Sequence, residues 1–157
     1  MTSSSTRSTG PPVSGDPYDP GADMLARYPG WVVRWRRIAP VPEVLCVRRR
    51  IVLVDRDGDW PTRRCALAHA VAHIDLGHLP DSGRQGRRYE GEADLLAAQR
   101  LIGLERLGDI LTWALGPDEV AAELDVTEHM VSVRVRGLSP LEKQTIEQIV
   151  ERTEGAA

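Results

Sequence analysis

The stretch Pro61-Thr62-Arg63-Arg64-Cys65-Ala66-Leu67-Ala68-His69-Ala70-Val71-Ala72-His73-Ile74-Asp75-Leu76-Gly77 decides how the chain folds. Pro61 suits a first helical turn. Cys65, Leu67, Ala68, Val71, Ala72, Ile74 and Leu76 supply a long apolar surface, and Gly77 is a natural stop. The spacing predicts a helix over 61–77. His69 and His73 lie four apart on it, so both imidazoles leave one face about one turn apart. That geometry suits two nitrogen ligands of a tetrahedral zinc, which needs a third protein ligand and keeps a fourth position for water. The plainer alternative is a pair of ordinary helix histidines with satisfied hydrogen bonds.

Upstream, the pattern is β-prone. Trp31 to Ile38 mixes Val, Trp and Ile with arginines in rough alternation, which predicts a strand with one wet face. Pro40 and Pro42 break the chain. Glu43 to Asp55 follows as a tight hairpin turning near Arg48, Arg49 and Arg50, or as one long strand. Asp57-Gly58-Asp59 closes the sheet. A short helix over Ala22 to Tyr28, stopped by Pro29-Gly30, comes before it. Residues 1–21, rich in Ser, Thr, Gly and Pro, read as a disordered tail.

Downstream, a polar loop from Pro80 to Arg87 leads to a second helix from about Arg88 to Ile102. A third spans Leu104 to Leu115, ending at Gly116-Pro117. Three further short helices cover Asp118 to about Arg152. The fold class is α+β: a small, mostly antiparallel sheet beside a helical core, with a helical appendage. The expected organisation is tail 1–21, core 22–115 and appendage 116–157, so that removing 118–157 would leave a metal-binding core.

The bulk numbers exclude several classes. With 157 residues, 41% hydrophobic and 27% charged, the chain has the make-up of one globular domain with at most a small appendage. A net charge of −3 gives no global reason to expect nucleic acid or an anionic membrane. No apolar run is long enough to span a bilayer, and the first residues lack the apolar segment of a secretory signal. A cytoplasmic location follows as the expectation, with Cys46 and Cys65 as free, buried thiols. Cys65, one turn before His69, is read as a buried thiol rather than a ligand.

Nineteen residues after His73, Glu92 opens the segment Glu90-Gly91-Glu92-Ala93-Asp94. It is either a third ligand from a second helix or the partner of Arg88 in a surface ion pair. Together, LAHAVAHIDLGH (67–78) and EGEAD (90–94) resemble the H-E-x-x-H…E-A-D pattern of ImmA/IrrE-type zinc metallo-endopeptidases, over roughly residues 22–115. The resemblance implies a zincin-like core, Zn2+ held by His69, His73 and Glu92, and peptide hydrolysis. It also implies a protein substrate, a transcriptional repressor of a phage or mobile element.

The chain departs from that pattern at Ala70, where the family carries the glutamate that serves as general base. Such a base contributes roughly 10²–10⁴-fold, or about 3–5 kcal/mol of barrier. On the same helix Ala66, Ile74 and Gly77 flank position 70, and none is ionisable. Asp75 should point away, while Glu90 and Asp94 could orient a ligand as outer acceptors. An engineered inactive form, a natural pseudo-enzyme that binds zinc and a repressor without cleaving it, and a base supplied from elsewhere all stay open. His78 reads as a residue at the mouth of the site or the helix end.

Residues 31–64 hold nine arginines against four acids, either a solvated sheet face or a basic surface for an acidic partner or nucleic acid. Asp118 to Leu138 resembles a helix-turn-helix with Thr127 as N-cap. Residues 116–157 nevertheless carry nine acids against four basic residues, a poor footprint for DNA. His129 reads as an exposed helix residue.

Overall fold

The computed structural model describes residues 17–80 and 83–155; most of the expected tail, residues 1–16, lies outside them. Asp19 caps the first helix, α1 (Pro20–Arg27), accepting the amides of Gly21 and Ala22. This helix therefore begins two residues before Ala22, inside the stretch read as tail. Three strands follow, β1 (Val32–Arg36), β2 (Glu43–Cys46) and β3 (Ile51–Asp55). Between β2 and β3 a 3₁₀ turn over Val47–Arg49 ends on Arg50 in the left-handed region (φ 53°), where the hairpin was expected to turn.

The sheet order is β1-β3-β2, with β1 parallel and β2 antiparallel to β3. The sheet is thus mixed rather than mostly antiparallel. Alternation in a strand tells which face is apolar, not which neighbour it takes. The chain leaves β1 through the Pro40–Pro42 segment, skips the central position and enters the far edge, so β3 closes between its two predecessors. Val52 and Val54 of β3 point to one face and are fully buried.

Helix α2 (Trp60–Asp75) starts on Asp59, which caps the amide of Thr62 at 2.9 Å. It is buried on two sides. Ala66, Leu67, Ala70 and Val71 pack on Val52, Val54 and Met24. Cys65, Ala68 and Ala72 pack instead on Ala93, Ala97 and Ala98 of α3 (Arg84–Leu101). The run of alanines lets a sheet and a helix approach α2 from opposite directions. Asp75 does point away from the histidines, and holds Arg27, Tyr28 and Arg100 at the end of α2.

The remaining helices are α4 (Leu104–Leu111), α5 (Pro117–Leu124), α6 (Glu128–Arg136) and α7 (Pro140–Glu154). Thr127 does cap α6, through the amide of Met130. These helices share the cluster of α2 and α3: Val120, Leu124, Val126, Met130, Val131 and Ile146 lie in one continuous core with Ala68 and Ala97. Buried Arg64 of α2 ties the layers together, donating to the carbonyls of Leu124 (2.9 Å), Asp125 (3.0 Å) and Tyr18 (3.0 Å). Gly108 shows how closely α4 and α7 approach, because a Cβ there would lie 2.7 Å from Cγ2 of Ile149. Gly108→Ala should destabilise the protein by about 1–3 kcal/mol through overpacking, despite the better helix propensity of alanine. Urea unfolding checks this; a neutral or stabilising result would show that α7 yields easily.

Cys46 is partly exposed and Cys65 buried, and both are free. Burial pushes the Cys65 thiol up, against the amide of Thr127 that donates to its sulfur at 3.4 Å. Among the described residues no helix is long and apolar enough to cross a membrane. Arginines 34, 36, 37, 48, 49 and 50 are all exposed, which a solvated sheet face and a basic binding surface require alike.

Candidate metal centre

The i,i+4 spacing on α2 brings the two histidine rings together as expected. His69 Nε2 and His73 Nε2 lie 2.9 Å apart, with ring centroids separated by 4.6 Å. The carboxylate that joins them comes from Glu90. Its Oε2 is 3.1 Å from His69 Nε2 and its Oε1 is 3.4 Å from His73 Nε2. Among the described residues, His69, His73 and Glu90 form the one group able to offer three metal ligands, their donor atoms all within 4.8 Å of one another. Ligands at tetrahedral angles on bonds of about 2.0 Å stand about 3.3 Å apart, so the three atoms are already close to the required spacing.

Glu92 lies outside this group. It accepts from Arg88 Nε at 2.7 Å, the ion pair weighed from the sequence, and from His78 Nε2 at 3.2 Å. The Arg88 hydrogen bond holds its carboxyl below the usual range. The reason is helical phase. Residues two apart sit on nearly opposite sides of a helix, so α3 can turn only one of Glu90 and Glu92 toward the histidine pair. Glu90 and Asp94, four apart, share the inward face, and both reach His69.

The hydrogen-bond partners of the rings assign the protons of their neutral forms. Asp94 Oδ1 stands 2.9 Å from His69 Nδ1. A carboxylate only accepts, so that nitrogen carries a proton, and in the neutral ring Nε2 presents a lone pair. On the other ring, His73 Nδ1 meets His78 Nδ1 at 2.9 Å, and His78 Nε2 donates to Glu92. With neutral rings His78 Nδ1 must accept, so His73 donates from Nδ1 and its Nε2 also presents a lone pair. Two nitrogen lone pairs and a carboxylate then converge with no donor between them. A cation satisfies all three, and the residues present fit a metal ion.

The acidic surroundings favour a positive charge at this point, carried by a proton on His69 or by a metal ion in its place. Glu43, Glu90, Glu92 and Asp94 surround three histidines. Burial opposes protonation of His69, yet its hydrogen bond to Asp94 and the charges of Glu43, Asp94 and Glu90 hold its pKa above the ordinary histidine value. His73 is pushed down, first by burial and then by the charge of His69.

His78 reaches the site because Gly77 adopts φ +64°, a conformation open to a residue without Cβ, and reverses the chain at the end of α2. The His78 ring is buried and stacks on Tyr89, centroids 4.1 Å apart. It lies just past the end of α2, as expected, lines the cleft, and forms an outer link of the site. His129 of α6 is exposed, as expected, but its Nε2 meets Asp94 Oδ2 at 2.8 Å. The C-terminal helices thus touch the outer edge of the centre.

Ala70 faces both the core and a cleft of about 330 Å³ lined by His69, His73, Leu45, Tyr89 and Glu90, with Glu43 at its rim on β2. Sequence reasoning missed Glu43. Its only signal was the period of β2, which puts Glu43 and Leu45 on one face. Comparison of the chain with protein-family models, curated proteins and solved structures returned no match.

Proposed function

We propose that the chain is a zinc hydrolase of the metallo-endopeptidase type, with a zincin-like core, in which His69, His73 and Glu90 hold the metal. The convergence of two imidazole lone pairs and one carboxylate, with His69 backed by Asp94 and His73 by His78 and through it Glu92, carries this reading. Two nitrogens and one oxygen suit a borderline-soft ion such as zinc better than magnesium or calcium, which take oxygen. Three protein donors leave one coordination position to the cleft, as in catalytic rather than structural zinc sites. A metal bound there supplies a Lewis acid that polarises a peptide carbonyl. Asp94 and the His78–Glu92 pair orient the two imidazoles.

The resemblance of residues 67–78 and 90–94 to the ImmA/IrrE pattern supports a transcriptional repressor of a phage or mobile element as substrate, with cleavage relieving repression in the cytoplasm. A second reading rests on Ala70. A methyl group in the base position favours a zinc-binding regulator that captures a repressor without cleaving it. DNA binding through residues 118–138 has weaker support, given the acidic balance of that segment.

The full chain, purified without chelator, should carry about one zinc, and His73→Ala should lose most of it. Zinc-dependent cleavage of the repressor encoded nearby, abolished by His69→Ala, supports the hydrolase. Capture without cleavage selects the second reading. A folded protein that binds no zinc overturns both.

A further inference from the structure

We propose that Glu43 is the general base of this centre, reaching the cleft from the edge strand β2 in the place that α2 leaves to Ala70. The inference rests on the zinc hydrolase reading above.

Glu43 and Leu45 alternate onto the face of β2 that meets α2, while Val44 between them is exposed. The Glu43 side chain is 17% exposed, and its Oε1 stands 3.8 Å from His69 Nε2. That separation is too long for a hydrogen bond. Nor does His69 need it, since its Nδ1 is served by Asp94 and its Nε2 faces His73 and Glu90. Among the described residues no hydrogen-bond donor meets the Glu43 carboxylate. Its oxygens are not among the fully buried unpaired atoms, so the carboxylate opens onto the cleft, where a water can reach it. It also stands outside the three side chains whose donor atoms are mutually within 4.8 Å, so it is placed beside the ligand group rather than in it. A base needs to lie within reach of a water next to the reacting carbonyl, and need not share a helix with the ligands.

The step balances on these residues. The Glu43 carboxylate takes one proton from a water in the cleft as the water oxygen bonds to the scissile carbonyl carbon. The carbon–nitrogen bond then breaks, and the proton passes from Glu43 to the departing nitrogen. A carboxylic acid and an amine result, and Glu43 returns to its carboxylate form. In this arrangement a base from the sheet replaces one from the helix.

The test uses the full chain loaded with zinc, and acetohydroxamic acid as probe. This ligand gives up a proton on chelating a metal, and a neighbouring carboxylate that accepts the proton tightens its binding. Glu43→Gln, which keeps size and shape, should leave zinc affinity within about threefold of the parent while weakening the hydroxamate at least about tenfold and repressor cleavage about 10²–10⁴-fold. Adding Ala70→Glu to that variant should restore hydroxamate binding, because a carboxylate returns to the cleft from α2. A tenfold loss of zinc on Glu43→Gln would make Glu43 a ligand and overturn the proposal. Unchanged hydroxamate affinity, or a zinc-loaded parent that does not bind the probe, would overturn it as well and leave the zinc site standing. A parent chain that binds no zinc would instead sink the reading on which the proposal rests.

Discussion

Replacing Glu90 with glutamine should lower zinc affinity at least about 100-fold, whereas the same change at Glu92 should lower it only about tenfold and keep the stoichiometry. The first figure follows from binding free energies of about 10–16 kcal/mol at structural zinc sites, or about 3 kcal/mol for each of four ligands. The second is the lower end of the roughly 10–100-fold that removal of an outer hydrogen-bond partner costs. Glu90 reaches both Nε2 atoms, at 3.1 and 3.4 Å, while Glu92 reaches the centre only through His78. Competition with a chromogenic chelator measures both variants. Equal losses, or a larger loss at Glu92, would restore the ligand set that the family resemblance implies and would require α3 to rotate about its axis on binding.

Ending the chain after Gly116 should abolish cooperative folding. The sequence alone marked residues 116–157 as an appendage whose removal would leave a metal-binding core. In the structure six large aliphatic side chains, Val120, Leu124, Val126, Met130, Val131 and Ile146, are part of the same cluster as Ala68, Ala72 and Ala97. At about 1.5–3 kcal/mol each, their loss removes on the order of 10 kcal/mol. That equals the whole stability of an ordinary domain, about 5–15 kcal/mol. Arg64 would also lose two of its three carbonyl partners while remaining beside apolar groups. Urea unfolding followed by circular dichroism decides the matter. A sigmoidal transition in the truncated chain, with zinc still bound, would re-establish the appendage boundary.

Each feature that depends on local period was legible in the residues themselves. The histidine pair, the cap at Thr127, the stop at Gly77, the turn near Arg50 and the succession of helices after Gly116 all follow from spacing and backbone preference. These are short-range properties, and tertiary packing had no cause to override them. Helix ends also differ from the expected ones, and α4, expected to run to Leu115, stops at Leu111. Asp19 caps α1 earlier than the apolar pattern begins, and α3 gains a turn before Arg88, where the sequence shows only polar residues.

What only the tertiary structure decided is how faces meet. Glu90 and Glu92 are chemically alike and two positions apart, so the choice between them depends on the phase at which α3 crosses α2, which the alanine contacts set. The mixed sheet depends on β3 entering between β1 and β2, and strand alternation carries no information on neighbours. Glu43 lies 26 residues before His69 on another element, and no local pattern ties it to the metal centre. His78 and His129 reached the centre through a chain reversal and a helix packed against α3, respectively. Periodicity along one element is written in its own residues; the meeting of two elements is a property of both surfaces at once, so the histidine pair and Asp94 as its outer acceptor could be read from the sequence, whereas the choice of Glu90 over Glu92 and the approach of Glu43 could not.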